Sequence, residues 1–322
     1  MDEFSLIDTY FKSLGDVAGS TSPNVVLGIG DDCALLAPRL GCELAVSADT
    51  LVAGVHFLED THAFDLGFKA LAVNLSDLAA MGAEPAWFTL CLTLPDNDEA
   101  WLRSFTQGMA TLAREYQMPL VGGDTTRGPL TVSVQVAGWI PAGKALRRSG
   151  ARVGDGLYVS GGLGWPGLGL DHLQGRMTLP GKHQLFALDH LLRPQPQIKL
   201  GIALREYARA CIDISDGLTA DLGHILASSR VGAALDVAAL PVAEPLRTLQ
   251  KDQPEQLLDV LDFGDEYQLL FTAPANAHAA LMSAAAAVGA TVCAIGRITD
   301  DSGRLTDGQG NAITTKGYQH FS

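Results

Sequence analysis

The chain has 322 residues, of which 47% are hydrophobic and 18% charged, so it is long enough for about two domains with buried cores. Its formal net charge of −14 argues against non-specific nucleic-acid binding, and its apolar runs are shorter than the ~20 residues of a membrane span. Five dispersed cysteines without a CxxC spacing and an acidic N-terminus without signal-peptide features predict a cytoplasmic protein with reduced thiols, and no nucleic-acid or membrane partner.

Strand and helix patterns alternate through the first half of the chain. Apolar residues at helical spacing predict an amphipathic helix over 4–14, a long buried helix over 64–81 and another amphipathic helix over 98–116. Apolar and β-branched runs predict strands over 25–29, 44–47, 87–94, 119–121 and 131–140. The break at Pro141–Lys144 then ends a mixed α/β (α+β) domain that covers residues 1–143.

The second half, residues 144–322, is predicted to form another α/β domain without a fixed-period repeat. Its patterns predict strands over 157–160, 233–237, 267–272 and 291–298, and helices over 183–192, 197–209, 218–228 and 276–288. A GxGxxG spacing at Gly162–Gly167 follows the first of these strands. Because neither a long helix nor a ribose-binding acid follows it, we expect no dinucleotide site there. P-loop and protein-kinase motifs are absent.

Carboxylates recur where predicted strands meet glycine-rich turns. Asp32 and Asp49 each follow an apolar strand, and Gly122-Gly123-Asp124 repeats the arrangement. Unpaired carboxylates that converge repel each other unless a cation lies between them. Oxygen-only ligands suit Mg²⁺ when phosphates share the site, and glycines let backbone N–H groups approach a phosphate. The alternative is that each Asp only caps a turn.

Three further acidic positions have two readings each. Asp77 lies inside an apolar helix, where a carboxylate needs a partner, either a metal or nearby polar groups. Asp213 and Ser215 are predicted to share one side of an extended segment, while Asp216 begins a helix that it either caps or equips with a metal ligand. Arg127 and Arg148 can neutralise phosphate oxygens, although Arg127 also fits a solvated loop charge.

Seven segments together resemble the thiamine-monophosphate kinase family. They are Gly28–Leu35, Ser47–Phe57, Lys69–Ala83, Gly122–Gly128, Ile212–Gly217, Asp221–His224 and Lys316–His320. The resemblance extends from Phe4 to Phe321, and it places the chain with aminoimidazole ribonucleotide synthetase, selenophosphate synthetase and a hydrogenase-maturation enzyme. It implies an N-terminal α/β domain that binds metal and ATP and dimerises through its strands. It also implies a C-terminal domain that completes the ATP and substrate sites.

The resemblance also implies a reaction and its residues. ATP and thiamine monophosphate would give ADP and thiamine diphosphate, the last step of that biosynthesis, with several Mg²⁺ ions. The implied metal ligands are Asp32, Ser47, Asp49, Asp77, Asp124, Asp213 and Asp216, of which Asp49, Asp124 and Asp213 are the implied catalytic residues. The implied ATP contacts are Gly123, Asp124, Arg148 and Ser215, and the implied substrate contacts are His56, Asp265 and Tyr318.

Two positions depart from the family pattern. Ala48 stands where a hydroxyl residue is common, which removes any side-chain ligand there. Asp265-Glu266 reverses the usual order of the two acids and leaves the shorter one at the substrate position. His56 also has a structural reading, as a core or capping histidine.

Two other functions remain alternatives. Another member of the superfamily would act on a different acceptor. However, Cys33 follows the aspartate pair and not a glycine-rich N-terminal segment, and the sequence ends in Ser322, not in a reactive cysteine. A scaffold that binds ATP without turnover would not need so many mutually repelling carboxylates. For the kinase we expect direct in-line transfer without a phosphoenzyme, because no Ser-His or Cys-His pair is visible.

Overall fold

The computed structural model describes residues 6–15 and 24–318. Within the predicted helix over 4–14 it has a π-helical turn, Ile7–Phe11, followed by an α-helical turn, Lys12–Gly15 (α1); residues 4 and 5 lie outside the described part. The chain divides into two compact units, Met1–Leu78 with Ala83–Gly143 and Ala79–Gly82 with Lys144–Ser322. Both units combine a sheet with helices, which confirms the predicted mixed α/β class.

The first unit is built on a four-stranded sheet. Its strands are β3 (Cys42–Val52), β4 (Glu84–Leu94), β5 (Leu120–Arg127) and β6 (Thr131–Pro141), and a small antiparallel pair is formed by β1 (Val25–Leu27) and β2 (Leu35–Leu36). The order is β3-β6-β4-β5, and only the β4–β5 pair is parallel. The buried and more exposed residues alternate along the first half of β6, as predicted.

Two helices belong to this unit, α2 (Ala63–Ala80) and α3 (Glu99–Glu115). They cross in backbone contact, since a Cβ on Gly67 would lie 2.0 Å from the Phe105 carbonyl oxygen and one on Gly108 would lie 2.0 Å from the Phe64 carbonyl oxygen. Asp98 caps α3 by accepting hydrogen bonds from two backbone N–H groups. The long apolar helix α2 is buried over most of its length, as its sequence predicts.

Two strands are longer than predicted. β3 pairs with β6 over eleven residues, from Cys42 opposite Pro141 to Val52 opposite Thr131, so Asp49 lies within the strand and not at its end. β5 continues through Gly122–Arg127 because it pairs with β4 as far as Leu94. In both cases the ladder of hydrogen bonds overrides the low strand propensity of Asp and Gly.

The second unit has a six-stranded sheet of order β12-β9-β11-β7-β10-β8, antiparallel except for the β12–β9 pair. Its strands are β7 (Gly156–Ser160), β8 (Ala210–Asp213), β9 (Gly232–Leu235), β10 (Leu269–Ala273), β11 (Val292–Thr299) and β12 (Leu305–Asp307). Its helices are α4 (Trp165–Leu173), α5 (Gly181–Leu192), α6 (Ile198–Leu204), α7 (Leu218–Ser229), α8 (Arg247–Asp252), α9 (Pro254–Leu261) and α10 (His278–Ala287). Single 3₁₀ turns occupy Val237–Ala239, Glu244–Leu246 and Ala275–Ala277.

Some predicted bounds of the second unit are wrong. The helix expected over 197–209 ends at Leu204, and the strand expected from residue 267 begins at Leu269. A short helix, α4, does follow the GxGxxG spacing, but both sheet neighbours of β7 are antiparallel to it, unlike a dinucleotide-binding βαβ unit. No helix of the described residues has the length and apolarity to cross a membrane.

Candidate active site

Four polar residues form a cluster between β3 and α2, which we call the strand–helix cluster: Ser47, Asp49, Asn74 and Asp77. Ser47 and Asp49 share one face of β3, and Asn74 and Asp77 are one helical turn apart on α2. The Ser47 hydroxyl donates to Asp77 Oδ2 at 2.5 Å, and the Asp49 backbone N–H donates to Asn74 Oδ1 at 3.0 Å. The structure therefore brings three of the predicted metal ligands together.

Asn74 fixes the geometry of this cluster. Its side chain is 1% exposed, and its Nδ2 donates to the Ala70 carbonyl at 3.0 Å, so its oxygen is directed at β3. The side chains of Ser47, Asp49 and Asp77 are half-buried. Hydroxyl and carboxylate oxygens held on two regular elements are the donor set that a hard divalent cation prefers. Asn74 was one of the nearby polar groups expected as an alternative partner of Asp77, and the structure shows its oxygen accepting the Asp49 N–H.

His56 lies in the turn after β3. Its Nδ1 accepts the Val52 backbone N–H at 3.0 Å, which supports the capping interpretation and leaves the proton of a neutral ring on Nε2. Backbone N–H groups of Gly54 and His56 also bond within this turn. The His56 ring is therefore oriented by the backbone of the turn.

Asp32 and Asp124 are exposed, and they belong to other elements than β3 and α2, which carry the strand–helix cluster. Asp32 stands in the loop before β2, where its backbone N–H bonds Asp31 Oδ1 at 2.9 Å. Asp124 is on β5, opposite Cys91, and three strand spacings of about 4.8 Å separate β5 from β3. A Cβ on Gly123 would lie 1.8 Å from the Leu90 carbonyl oxygen, so only glycine allows this strand to approach β4.

In the second unit a turn joins β8 to α7 and holds three predicted residues. Asp213 ends β8 and is 4% exposed, whereas Ser215 is exposed, so the two do not share the environment that a period of two predicts. Asp216 is not the helix cap: Gly217 (φ +127°) occupies that position. The period fails because the strand ends at Asp213 and the chain turns.

Asp221 holds this turn from inside the helix. Its Oδ2 accepts backbone N–H groups of Ser215 at 3.0 Å, Asp216 at 3.1 Å and Gly217 at 3.2 Å. Burial raises the pKa of Asp221 to about 7, although the three hydrogen bonds act in the opposite direction. Asp221, whose role sequence reasoning missed, thus supports the backbone of Asp216, which the resemblance implies as a metal ligand.

Ligand atoms of Asp216, Asp221 and His224 lie within 4.8 Å of one another in the described part of the chain. Together with Asp213 and Ser215 they form what we call the loop cluster. The spacing of Asp221 and His224, one turn apart on α7, was the signal that could have identified them. Arg148 is exposed, and its carbonyl accepts the Ser229 hydroxyl at 3.3 Å.

The segment around Tyr318 is fastened beside the loop cluster. The Tyr318 backbone N–H donates to the Asp216 carbonyl at 3.0 Å, and the Lys316 N–H donates to the Thr219 hydroxyl at 3.0 Å. The Asp262 carboxylate accepts hydrogen bonds from the Thr219 hydroxyl at 2.8 Å and from the Thr219 backbone N–H at 2.9 Å. Burial raises the pKa of Asp262 to about 6. The Tyr318 side chain is 46% exposed, which leaves its ring accessible.

Asp265 and Glu266 have different environments. Asp265 is half-buried, and its backbone N–H donates to the Ser215 carbonyl at 2.9 Å. Glu266 is buried and accepts the Gly164 N–H at 2.5 Å, and burial raises its pKa to about 8. The first acid is therefore the one that a ligand can reach, and the second fastens the start of α4.

Comparisons with known proteins match both halves of the chain. Residues 30–140 match the AIR synthase related protein N-terminal domain, and residues 152–308 match the AIR synthase related protein C-terminal domain. The two halves of the chain are thus those of an AIR synthase related protein.

Individual relatives show which family within this class the chain resembles. Thiamine-monophosphate kinase of Escherichia coli (strain K12) is 51% identical over 281 residues, covering 87% of this chain and 85% of that protein. The crystal structure of thiamine-monophosphate kinase from Stenotrophomonas maltophilia K279a has a TM-score of 0.86 at 45% identity, covering 97% of this chain and 98% of that one. AaThiL complexed with AMPPCP and TMP has a TM-score of 0.77 at 31% identity, covering 99% and 97%. The chain belongs to the thiamine-monophosphate kinase family.

Proposed function

We propose that this chain transfers the γ-phosphoryl group of ATP to thiamine monophosphate, giving ADP and thiamine diphosphate. The observation that carries the proposal is 51% identity to the Escherichia coli enzyme over 85% of its length. A structural relative complexed with AMPPCP, an ATP analogue, and TMP supports the pair of ligands. The strand–helix and loop clusters supply residues suited to phosphate and metal chemistry.

The side-chain donor atoms of the strand–helix cluster are of the kind that Mg²⁺ prefers. Ser47, Asp49 and Asp77 offer only oxygen donors, and they are held by hydrogen bonds before any ligand arrives. We assign Asp32 and Asp124 to the same task as exposed carboxylates, and Gly123 to backbone contact with phosphate. When bound, Mg²⁺ supplies neutralisation of the charge on the two reacting phosphate groups.

We assign Asp213, Asp216 and Ser215 to metal and ATP binding in the second unit. Asp221 supports this assignment, because it holds the backbone of Ser215 and Asp216 through N–H bonds and leaves their side chains for ligands. Arg148, exposed in the segment between β6 and β7, is assigned to the phosphates, where a guanidinium forms paired hydrogen bonds.

The substrate residues would recognise the two ends of thiamine monophosphate. Asp265 offers an accessible carboxylate to the cationic thiazolium and amino-pyrimidine, and Tyr318 offers an accessible ring for stacking. His56, whose Nδ1 accepts the Val52 N–H and so fixes the ring beside β3, is assigned to the substrate as well.

The proposed transfer is direct and in line. The acceptor phosphate is already ionised near neutral pH, so no general base has to create the nucleophile. One transfer inverts configuration at a chiral, isotopically labelled γ-phosphate, and two transfers retain it. Inversion is expected. Retention, or radiolabelled protein after incubation with ATP alone, would contradict the mechanism.

A coupled assay of ADP release tests the function itself. We expect ADP release that depends on thiamine monophosphate and Mg²⁺, with stoichiometric thiamine diphosphate. ADP release with another acceptor and not with thiamine monophosphate would indicate a different member of the superfamily. Saturable ATP binding without ADP release would indicate a scaffold.

We also propose a cytoplasmic homodimer formed through the first-unit sheet. Along the edge strand β3, Leu44 is 45% exposed and Val46 51% exposed, and the hydroxyls of Thr50 and Ser133 meet at 2.7 Å on the same face. Such a face is a liability unless it is covered. Sedimentation should show a species of twice the 33.9 kDa chain mass. A Val46→Glu variant should sediment as a monomer, whereas Val153→Glu, at another exposed valine, should not; monomeric unmodified protein would refute the dimer.

A further inference from the structure

Glu266 is flanked by two residues in the left-handed region of backbone space. Asp265 has φ +62° and Tyr267 has φ +50°, values that side chains other than Gly, Asn and Asp rarely adopt. For an aromatic residue such as Tyr267 this conformation is unfavourable, because its Cβ crowds the backbone. Strain of this kind persists only where the surrounding contacts determine it, and it concentrates at functional sites.

Backbone contacts hold this segment against the turn that follows β8. The Tyr267 N–H donates to the Ile214 carbonyl at 2.8 Å, and the Asp265 N–H donates to the Ser215 carbonyl at 2.9 Å. At Gly264 (φ +87°) the two segments of the chain are so close that a Cβ would lie 2.2 Å from the Ser215 carbonyl oxygen. The left-handed residues thus let the backbone of 264–267 run alongside the turn that follows β8.

The consequence of two left-handed residues is a side-chain contact across Glu266. The Tyr267 hydroxyl donates to Asp265 Oδ1 at 2.9 Å. Tyr267 is 9% exposed, so its ring is locked in the protein, while the carboxylate it bonds is half-buried. A short carboxylate at an accessible position is therefore held by a buried, rigid phenol.

We propose that Tyr267 is a positioning residue for the proposed reaction: it orients the Asp265 carboxylate toward the cationic, amine-bearing part of the acceptor substrate. The inference rests on the proposed function, because Asp265 is assigned to substrate binding there. Tyr267 does not contact ATP in this assignment. Its hydroxyl therefore affects acceptor binding and leaves both nucleotide affinity and the chemical step unchanged.

Removal of the hydroxyl alone tests the proposal. Tyr267→Phe keeps the ring, and we expect the KM for thiamine monophosphate to rise roughly tenfold, as for loss of a hydrogen bond to a charged group. The KM for ATP and kcat should stay within about twofold of wild type. Tyr158→Phe is the matched control, since it also removes a partly buried phenol hydroxyl of the same unit, bonded to His278 Nδ1 at 3.2 Å.

A double-mutant cycle separates positioning from a general structural role. Asp265→Gly deletes the carboxylate at a φ that glycine adopts without strain. If Tyr267 acts through Asp265, Tyr267→Phe should add nothing to the KM for thiamine monophosphate in that background. An additional rise, an equal rise in the KM for ATP, or an unchanged single variant would overturn the proposal. If wild-type protein in the same assay shows no acceptor-dependent ADP release, the proposed function fails and this role fails with it; if wild type is active, only the role of Tyr267 is at issue.

Discussion

The strand–helix cluster and the loop cluster use the same side chains in different settings. In the first, Ser47 and Asp49 are placed by the period of β3, and Asn74 and Asp77 by one turn of α2. In the second, the proposed ligand residues Ser215 and Asp216 lie in a turn whose backbone is held by the buried carboxylate of Asp221. The difference indicates that regular elements position ligands directly, whereas a turn needs a buried anchor.

The largest expected effect concerns the strand–helix cluster. Asp49→Asn should lower kcat on the order of 10²–10³-fold, because it removes a carboxylate proposed to hold the Mg²⁺ that neutralises the transferring phosphate group. Stability should be retained, since Asp49 bonds Asn74 through its backbone N–H. Asp60→Asn, at an exposed aspartate of the same unit, is the control. A kcat near wild type would remove Asp49 from the proposed ligands.

Substitution of Asp221, which anchors the loop cluster, should lower stability as well as activity. Asp221→Ala leaves three backbone N–H groups without their acceptor, which should lower the free energy of unfolding by about 1.5–3 kcal/mol. Asp221→Asn keeps an acceptor oxygen and should be milder. Denaturant unfolding compares the two variants. Equal stability of Asp221→Ala and wild type would show that the turn holds without an anchor.

The buried carboxyl group of Glu266 should make the free energy of unfolding depend on pH. Its pKa is raised by burial from 4.5 to about 8, so the folded state binds the proton more tightly than the unfolded state between these values. Its stabilising contribution is therefore complete below pH 4.5 and is lost as pH rises to about 8, by at most about 1.4 kcal/mol per pH unit.

Glu266→Gln isolates this contribution. The amide keeps an acceptor for the Gly164 N–H, so wild type should lose stability relative to the variant as pH rises from 5 to about 8. Asp221 and Asp262, whose pKa values are also raised, are common to both proteins and cancel in the difference. Glu255→Gln, at an exposed position of α9, serves as control. Parallel stability–pH curves would contradict the prediction.

The smallest effect is expected at Tyr318, whose ring is accessible. Tyr318→Ala should raise the KM for thiamine monophosphate by about two- to tenfold, the range of one aromatic contact, and raise the KM for ATP less. Tyr318→Phe should restore acceptor affinity if stacking matters. Equal increases in both KM values would place the ring elsewhere.

The two clusters also differ in how far sequence predicts them. Periods of two and of 3.6 place Ser47 with Asp49 and Asn74 with Asp77 in the strand–helix cluster, although Ser47, Asp49 and Asp77 were expected together only from the family resemblance. Even there, the extent of β3 was wrong, since pairing with β6 through Val52 depends on a strand 80 residues away. The mixed α/β class was confirmed, while the ligand roles, the domain roles and the dimer stay predictions.

The anchors of the loop cluster could not be predicted from local pattern. Asp221 looks like an ordinary first-turn acid, and Glu266 looks like one of two interchangeable neighbours. Their roles follow from burial and from bonds to residues that only the fold brings close, such as Gly164 with Glu266. The left-handed backbone at Tyr267 likewise has no signature in residue type.

The bonds that fasten residues 316–318 beside Asp216 have a consequence for biosynthesis. The Lys316–Thr219 hydrogen bond joins residues 97 positions apart, a long-range contact that forms late in folding. During translation strands β7 to β12 are made before residues 316–318, so Tyr318 reaches its place beside Asp216 after them. The turn after β8, which carries the proposed nucleotide-binding residues, is therefore made before the segment that carries Tyr318, the proposed acceptor contact.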